Sequence, residues 1–528
     1  MSSLHGFSFI AGSLSNGNTG SFQAISPIDL ATLPGDFKTA SEAEVHLAME
    51  AAHQAFSTFR ATDGETRACL LESIADEIEA LGTDLIDRAR LESGLPEPRL
   101  LGERGRTCGQ LRMFAAQART HAWQDARIET AIPDRAPIPK PDLRRHLTPI
   151  GPVVVFGASN FPLAFSVAGG DTASALATGN PVVVKAHEAH PGTSELVAAA
   201  IAKAIAALDL PAGIFSMLQG SGRAIGLPLV KHPRTRAVGF TGSLAAGRAL
   251  FDAAASRPDP IPVFAEMGSL NPIVVLASAL EEKAAEIANQ IAASITQGVG
   301  QFCTKPGIIL IADCPEAATF RTTLAAAIQT AAPGTMLHQG ISKTYQQGSS
   351  AMAAHPSLTT LARSESPATG CQGAALVVEA SARDVLTDES LRHEVFGPFA
   401  MLVTVSGNGE VAEILHTLGG QLTASVFADP TDTTLPVLLD TLAESAGRVI
   451  INGVPTGVEV CSSMQHGGPW PASTDSRFTA VGSAALLRFV RPVSYQNIPD
   501  ALLPESLQNA NPLNINRQVN GTLTNRAV

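Results

Sequence analysis

The spacing of apolar positions changes twice along the chain. Between residues 41 and 130, apolar side chains recur at helical intervals, as in Leu70, Leu71, Ile74, Ile78 and Leu81, among many Ala, Glu and Arg. This predicts a helical opening segment. From 130 to 148 four prolines and mixed charge forbid a helix and predict an extended ribbon. Beyond it, β-branched runs alternate with Ala-rich helical ones: Val153 to Phe156, Leu163 to Thr178, Val182 to Lys185, Ser194 to Leu208, Phe215 to Gln219, Ala224 to Val230, Ala237 to Thr241 and Leu244 to Ser256. Such succession predicts a parallel sheet covered on both faces, because parallel neighbours need crossover helices. Ligands then bind beyond the carboxyl ends of the strands, here Gly157 to Pro162, Lys185 to Glu188, Gln219 to Arg223 and Thr241 to Ser243. A second series, from Pro272 to about Arg448, predicts another lobe of the same kind, with a helix from Leu280 to Gln297 and strands from Gly307 to Ile311 and Ala400 to Val405. Leu486 to Val493 reads as a strand before a polar tail.

Composition narrows the function classes. The 528 residues suit three or four domains or one large two-lobed unit, and 45% hydrophobic with 16% charged residues is the composition of a globular protein with ample core. Lys plus Arg number 36 against 48 Asp plus Glu, without a basic stripe, so nucleic acid is not an expected partner. Charge breaks every apolar run well before the roughly 20 residues that a membrane span needs. The opening MSSLHGFSFIAGSLSNG has no basic n-region and no sustained apolar core, so a cytoplasmic location is expected. Six cysteines without a CxxC pair form neither a disulfide framework nor a zinc ribbon, and no metal is expected.

Several residues stand where chemistry is possible. Cys303 sits in GVGQFCTKPG, a glycine-flanked turn between a long apolar helix and a strand. Glu266 ends the apolar run PVFAE, where a carboxylate must be paired or carry a raised pKa, the state that a general base needs. Asn160, in GASNFP, can donate its amide to an oxyanion or cap a helix. Lys185 can reach a ribose or phosphate, or lie along the surface. Gly220, Gly222 and Gly226 form GxGxxxG, and Gly239, Gly242 and Gly247 frame GFTGSLAAG; both loops can present amides to a pyrophosphate or simply make tight turns.

GASNFP, NPVVVKAHEAHPGTSE, GFTGS, EMGSLNP, GQFCTKPG and HEVFGP occur in the order and approximate spacing of the aldehyde dehydrogenase superfamily, over about residues 20 to 500. With HGGPWPAST at His466 to Thr474, their form is similar to that of bacterial 2,5-dioxovalerate (α-ketoglutarate semialdehyde) dehydrogenases and NADP-linked fatty aldehyde relatives. The resemblance implies an aldehyde dehydrogenase-like fold with a Cys303 nucleophile, a Glu266 general base and an oxyanion hole of Asn160 with the Cys303 amide. It implies that Lys185 holds the adenosine ribose, Gly242 and Ser243 face the pyrophosphate, and Glu394 and Phe396 position the nicotinamide ribose and ring. NADP is the expected cofactor, with NAD also accepted: Arg223 can clamp a 2'-phosphate, whereas Glu188 would repel it. Two departures stand out: the glycine spacing differs from GxGxxG, and EMGSLNP has Ser269 and Leu270 where the family commonly has Gly and Lys.

The resemblance also implies three parts: residues 1–130 with 149–270 for the NAD(P), 271–480 for catalysis, and 131–148 with 481–528 as a β-ribbon for a homodimer or homotetramer. Phe161 and Phe165 are expected to wall the aldehyde tunnel. Arg104, Arg106 and Arg112 are either surface groups paired with Glu97 and Glu103 or, for Arg106, a clamp on a distal carboxylate; Arg112 is expected to pack against the domain. The expected reaction is oxidation of 2,5-dioxovalerate to 2-oxoglutarate, the alternative a fatty or general aliphatic aldehyde. A CoA-acylating enzyme is disfavoured by the presence of Glu266, a thiol esterase by the cofactor loops, and an inactive binding protein by the intact Cys303, Glu266 and Asn160 set.

Overall fold

The computed structural model describes residues 4–15, 17 and 19–528. Residues 1–3 and 16 of the N-terminal stretch read above lie outside them. No described helix is long and apolar enough to cross a membrane.

The runs VVVF, VVVK, FSML, AVGFT and VFAE are buried almost throughout and form the parallel body of a seven-stranded sheet. Its order is Val263–Glu266, Ala237–Thr241, Val153–Phe156, Val182–Lys185, Phe215–Leu218, Ser8–Ile10 and Ser13–Ser15, the last two each pairing antiparallel with the strand before it. Chain order reverses between Val153–Phe156 and Ala237–Thr241, so a crevice opens beyond Phe156 and Thr241. A second sheet, also of seven strands, runs Thr359–Arg363, Leu376–Ser381, Phe399–Val405, Ile308–Ala312, Ile273–Val275, Gln421–Phe427 and Ala446–Ile451, all parallel except the first. A third sheet of five strands joins Val490–Gln496, Leu143–Pro149, Arg127–Glu129, Arg517–Val519 and Thr522–Thr524.

Three expectations need correction. Leu163 to Thr178 is helical only over Gly170–Ala177. The backbone N–H groups of Leu163 and Ala164 donate instead to the buried Glu103 carboxylate, at 2.8 and 3.0 Å, which holds the preceding residues in turns. Leu486 to Val493 is not one strand: Ser483–Phe489 is a 3-10 turn, because Leu486 and Phe489 join the first lobe's core and Arg488 pairs with Asp171 at 2.7 Å. The third sheet accordingly starts at Arg127, ahead of residue 131, and its C-terminal part at Val490, after residue 481. The tail also contributes two strands, whose hold on the rest is the fully buried Arg517 guanidinium donating to main-chain carbonyls that include Ser506 and Arg526.

Candidate active site

Cys303 lies in the turn that leads into Ile308–Ala312, and Glu394 and Phe396 lie just before Phe399–Val405. These are the amino ends of the second sheet's strands. They face the carboxyl ends of the first sheet, and one cavity of about 470 Å³ is lined by Asn160, Gly242, Ser243, Glu266, Cys303, Glu394 and Phe396. Its walls include His187 from one lobe and His338 from the other. Lys185, Glu188 and Arg223 are not among its lining residues. Lys185 is buried at the end of its strand, which lowers its ammonium to about 8 against the pull of Glu188. Arg223 is exposed on a π-type turn, Gly222–Gly226, packed beside that strand.

The nucleophile turn is fixed by its backbone. Asn271 donates Nδ2 to the carbonyls of Cys303 at 2.8 Å and Lys305 at 3.0 Å. Asn271 adopts a positive φ of 45°, and its own amide and side chain are bonded by Ser269, Gln421 and Thr423, so EMGSLNP carries the turn with Ser269 as a hydrogen-bonding hub. Asn160 donates Nδ2 to the Gln301 carbonyl at 3.2 Å, which leaves its second amide hydrogen free. Lys305 is buried, donates Nζ to the Phe399 carbonyl at 2.8 Å, and opposes the rise that burial imposes on the Glu394 carboxyl.

Glu266 has a partner that its sequence neighbours do not show. Nε2 of His466 lies 2.8 Å from Glu266 Oε1 and 3.4 Å from Cys303 Sγ. Both Glu266 and His466 are buried, yet neither Glu266 oxygen takes an aligned hydrogen bond. Burial and the charge of Glu266 push the Cys303 thiol well above its usual range, while Arg106 pulls it down. His466 is delivered by HGGPWPAST, which runs along Val263–Glu266 with Met267 donating to the Ala472 carbonyl at 2.8 Å and Thr474 to that of Ala265 at 3.1 Å. A Cβ at Gly468 would stand 2.1 Å from the Gln421 carbonyl oxygen, so only glycine allows this approach. The motif was visible in the sequence; the role of its histidine was not.

Phe161, Phe165 and Phe302 pack edge to face, with the Phe161 ring centroid 5.3 and 5.8 Å from the other two and the Phe165 ring 6.4 Å from that of His466; none of the three lines the cavity. Arg106 lies over Phe161 and Phe165 at 5.6 and 5.2 Å, its Nε and Nη2 buried without a hydrogen-bond partner. Arg104 instead donates to the Gly82 carbonyl at 2.9 Å. Arg112 is not packed into the domain: it is 41% exposed and pairs with Asp76 and Glu79. Glu103 is no surface partner either, being buried at the base of the Phe161 turn. Arg99, not singled out from the sequence, lies 4.5 Å over Phe161 and 4.7 Å over Phe302 and donates Nη2 to the Asn160 carbonyl at 3.2 Å.

The sequence pattern of the aldehyde dehydrogenase family matches residues 14–481. The chain is 51% identical over 486 residues to alpha-ketoglutaric semialdehyde dehydrogenase 2 of Azospirillum brasilense, covering 92% of this chain and 93% of that protein. It is 46% identical over 528 residues to alpha-ketoglutaric semialdehyde dehydrogenase of Acinetobacter baylyi, covering 99% and 100%. Among solved structures, gamma-glutamyl-gamma-aminobutyraldehyde dehydrogenase of Burkholderia cenocepacia shares the fold with a TM-score of 0.80 at 23% identity, over 94% of this chain and 97% of that one. By sequence pattern, by full-length similarity and by fold, the chain belongs to the aldehyde dehydrogenase family.

Proposed function

We propose that this enzyme oxidises 2,5-dioxovalerate to 2-oxoglutarate through a Cys303 thioester. The observation that carries the chemistry is the convergence of Cys303, Glu266 and Asn160 on one cavity. The substrate rests on the two similar proteins named for this semialdehyde and on Arg106, whose unpartnered guanidinium nitrogens suit a distal carboxylate held bidentately. Phe161 and Phe165 pack the carbon chain between that clamp and Cys303.

The half-buried Cys303 thiol, held well above its usual range by desolvation and the charge of Glu266, is protonated at rest, so attack on the aldehyde coincides with proton removal by Glu266, with His466 at its side. The oxyanion is received by the free amide hydrogen of Asn160 and the Cys303 N–H. Once Glu266 has passed the thiol proton to solvent through the cavity, it is again a carboxylate and takes a proton from the water that hydrolyses the thioester.

The cleft at the first sheet's switch point suits a nicotinamide cofactor: Gly242 and Ser243 would meet its pyrophosphate, and Glu394 and Phe396 its nicotinamide ribose and ring. When bound there, a nicotinamide cofactor supplies the hydride acceptor. Ser243 already spends its hydroxyl oxygen on the Ala246 N–H as a helix cap at 3.3 Å, so its hydroxyl hydrogen remains for a pyrophosphate oxygen. We assign Lys185 and Glu188 to the adenosine ribose and Arg223 to a 2'-phosphate, beyond the residues that line the cavity, and infer from Arg223 that NADP is the preferred cofactor with NAD also used. Residues 1–126 and 150–270 form the cofactor unit and 271–480 the catalytic unit. The third sheet and its adjoining segments, with Leu523 on a strand and Ile138 and Leu502 in neighbouring turns, each about 70% exposed, are the surface for a homodimer or a dimer of dimers, which light scattering would size.

The test is an initial-rate comparison of 2,5-dioxovalerate, glutarate semialdehyde and hexanal with NADP and NAD. A preference for the carboxylated aldehydes supports the assignment. Preference for hexanal would favour the aliphatic reading, to which the Phe161, Phe165 and Phe302 cluster gives independent support.

A further inference from the structure

Two groups of His, Cys and carboxylate side chains gather their ligand atoms within 4.8 Å among the described residues. In the first, His46, Glu50 and His232, the atoms are already committed. The Arg234 N–H donates to His232 Nδ1 at 3.2 Å, which leaves the ring hydrogen on Nε2, facing His46 Nδ1 at 3.1 Å. Glu50 takes the Arg234 guanidinium at 2.9 Å. That group is a hydrogen-bonded pair beside a salt bridge.

The second group is Glu266, Cys303 and His466, and its contacts run among the three candidate ligands themselves, His466 Nε2 to Glu266 and to Cys303, which a metal between them would replace. None of the hydrogen bonds of the described residues involves His466 Nδ1, so when a metal replaces the Nε2 contacts to Glu266 and Cys303 the ring can move its hydrogen to Nδ1 and turn the Nε2 lone pair to the metal. Both Glu266 oxygens are buried, with 3% of the residue exposed, and neither takes an aligned hydrogen bond. The three side chains come from three elements, and Asn271 fixes the Cys303 backbone. Thiolate, imidazole and carboxylate are all ligands that Zn²⁺ accepts, at about 2.3, 2.0 and 2.1 Å, which sets tetrahedral edges of about 3.4 to 3.6 Å. The sulfur–nitrogen distance is 3.4 Å, and the nitrogen–oxygen distance of 2.8 Å needs to open by about half an ångström.

We propose that Cys303, His466 and Glu266 form an inhibitory Zn²⁺ site that caps the nucleophile. This rests on the active-site reading above and adds a ligand to it. On binding, the Cys303 S–H bond breaks, its proton leaves to solvent and a Zn–S bond forms with no change of oxidation state. One thiolate and one carboxylate neutralise the metal charge, so the buried assembly carries no net charge. The fourth position points into the cavity, open to water or to an aldehyde oxygen. Because the thiolate is the nucleophile, metal binding and aldehyde addition exclude each other.

The experiment uses the full-length, chelator-treated enzyme and ZnCl₂ alone. Calorimetry measures binding, and peptide mass spectrometry follows alkylation of Cys303 by iodoacetamide. The expected result is one tight Zn²⁺ per chain that protects Cys303, with protection reversed by chelator. Removing an outer partner of a metal ligand commonly weakens binding 10- to 100-fold, so His466→Ala, which removes a ligand itself, should weaken it by at least roughly 100-fold. Cys303→Ala should abolish the site. Co²⁺ with the wild-type enzyme gives a readout that needs no variant: a thiolate-to-cobalt charge-transfer band, absent in Cys303→Ala. Full alkylation of Cys303 under saturating Zn²⁺, no such band, or equal Zn²⁺ affinity of wild type and a folded His466→Ala would each overturn the inference. Aldehyde turnover of the same preparation before Zn²⁺ addition separates the two readings: an active enzyme indifferent to Zn²⁺ refutes the metal site alone, and an inactive one refutes the function.

Discussion

Arg106 lies 5.2 Å over the ring of Phe165 and keeps two guanidinium nitrogens buried and unbonded. A buried donor without an acceptor is unfavourable, and a substrate carboxylate would relieve it. Replacing Arg106 by Ala should therefore cost about 3 kcal/mol of transition-state binding, or roughly 100-fold in kcat/KM, for 2,5-dioxovalerate. Hexanal should be unaffected or improve. Arg106→Lys should not rescue, because an ammonium lacks the planar fork. An equal loss for both aldehydes would remove Arg106 from substrate recognition.

Cys303→Ala should abolish aldehyde oxidation while leaving the thermal unfolding transition near that of the wild type, because Cys303 sits in a turn anchored by backbone acceptors. Glu266→Gln should slow deacylation most. Rapid mixing would then show one equivalent of reduced cofactor in a burst, followed by a stall. Absence of both burst and slowing would move the base elsewhere.

Arg99 ties the Asn160 carbonyl to the Phe302 ring, one residue from the nucleophile. Arg99→Ala should lower kcat by roughly 10- to 100-fold, since small misplacements of an oxyanion donor weaken it where charge develops. KM should change less. A loss confined to KM would show that Arg99 only shapes the tunnel.

Cofactor preference is expected to follow the exposed Arg223. Arg223→Ala should raise the KM for NADP by roughly 10-fold and leave that for NAD unchanged, the loss of a charge-assisted phosphate contact. A parallel rise for both cofactors would refute the assignment.

His146 gives a pH signature unrelated to catalysis. Burial between the ribbon and Ser506, whose Oγ is 3.0 Å from Nδ1, lowers it from 6.5 to about 4. Between those values the unfolded chain binds the proton and the folded chain does not, so stability is lost as pH falls below 6.5. From neutral pH to about pH 5 this amounts to about 2 kcal/mol. Denaturant titrations of wild type and His146→Gln at both pH values should show a shallower decline in the variant; identical slopes would mean that other groups set the acid limit.

The sequence by itself determined the local elements and the reactive residue types. Runs such as VVVF and VVVK bury both faces and so specify central parallel strands, and glycines around Cys303 mark a turn exposed to a cleft. Tertiary structure decided which faces meet. The first sheet offers its carboxyl ends and the second its amino ends, an opposition that no local pattern encodes because both lobes have the same rhythm. Helical spacing alone puts Arg99, Glu103 and Arg106 on one face of Glu97–Thr120, but the direction of that face was settled only when Glu103 took the Leu163 and Ala164 amides. The same packing sent Arg112 to solvent. His466 lies 163 residues beyond Cys303, and only the pairing of its segment with Val263–Glu266 brings imidazole, carboxylate and thiol together. Side chains far apart in sequence meet through backbone contacts such as the Gly468 approach to Gln421, which depend on the whole fold having formed.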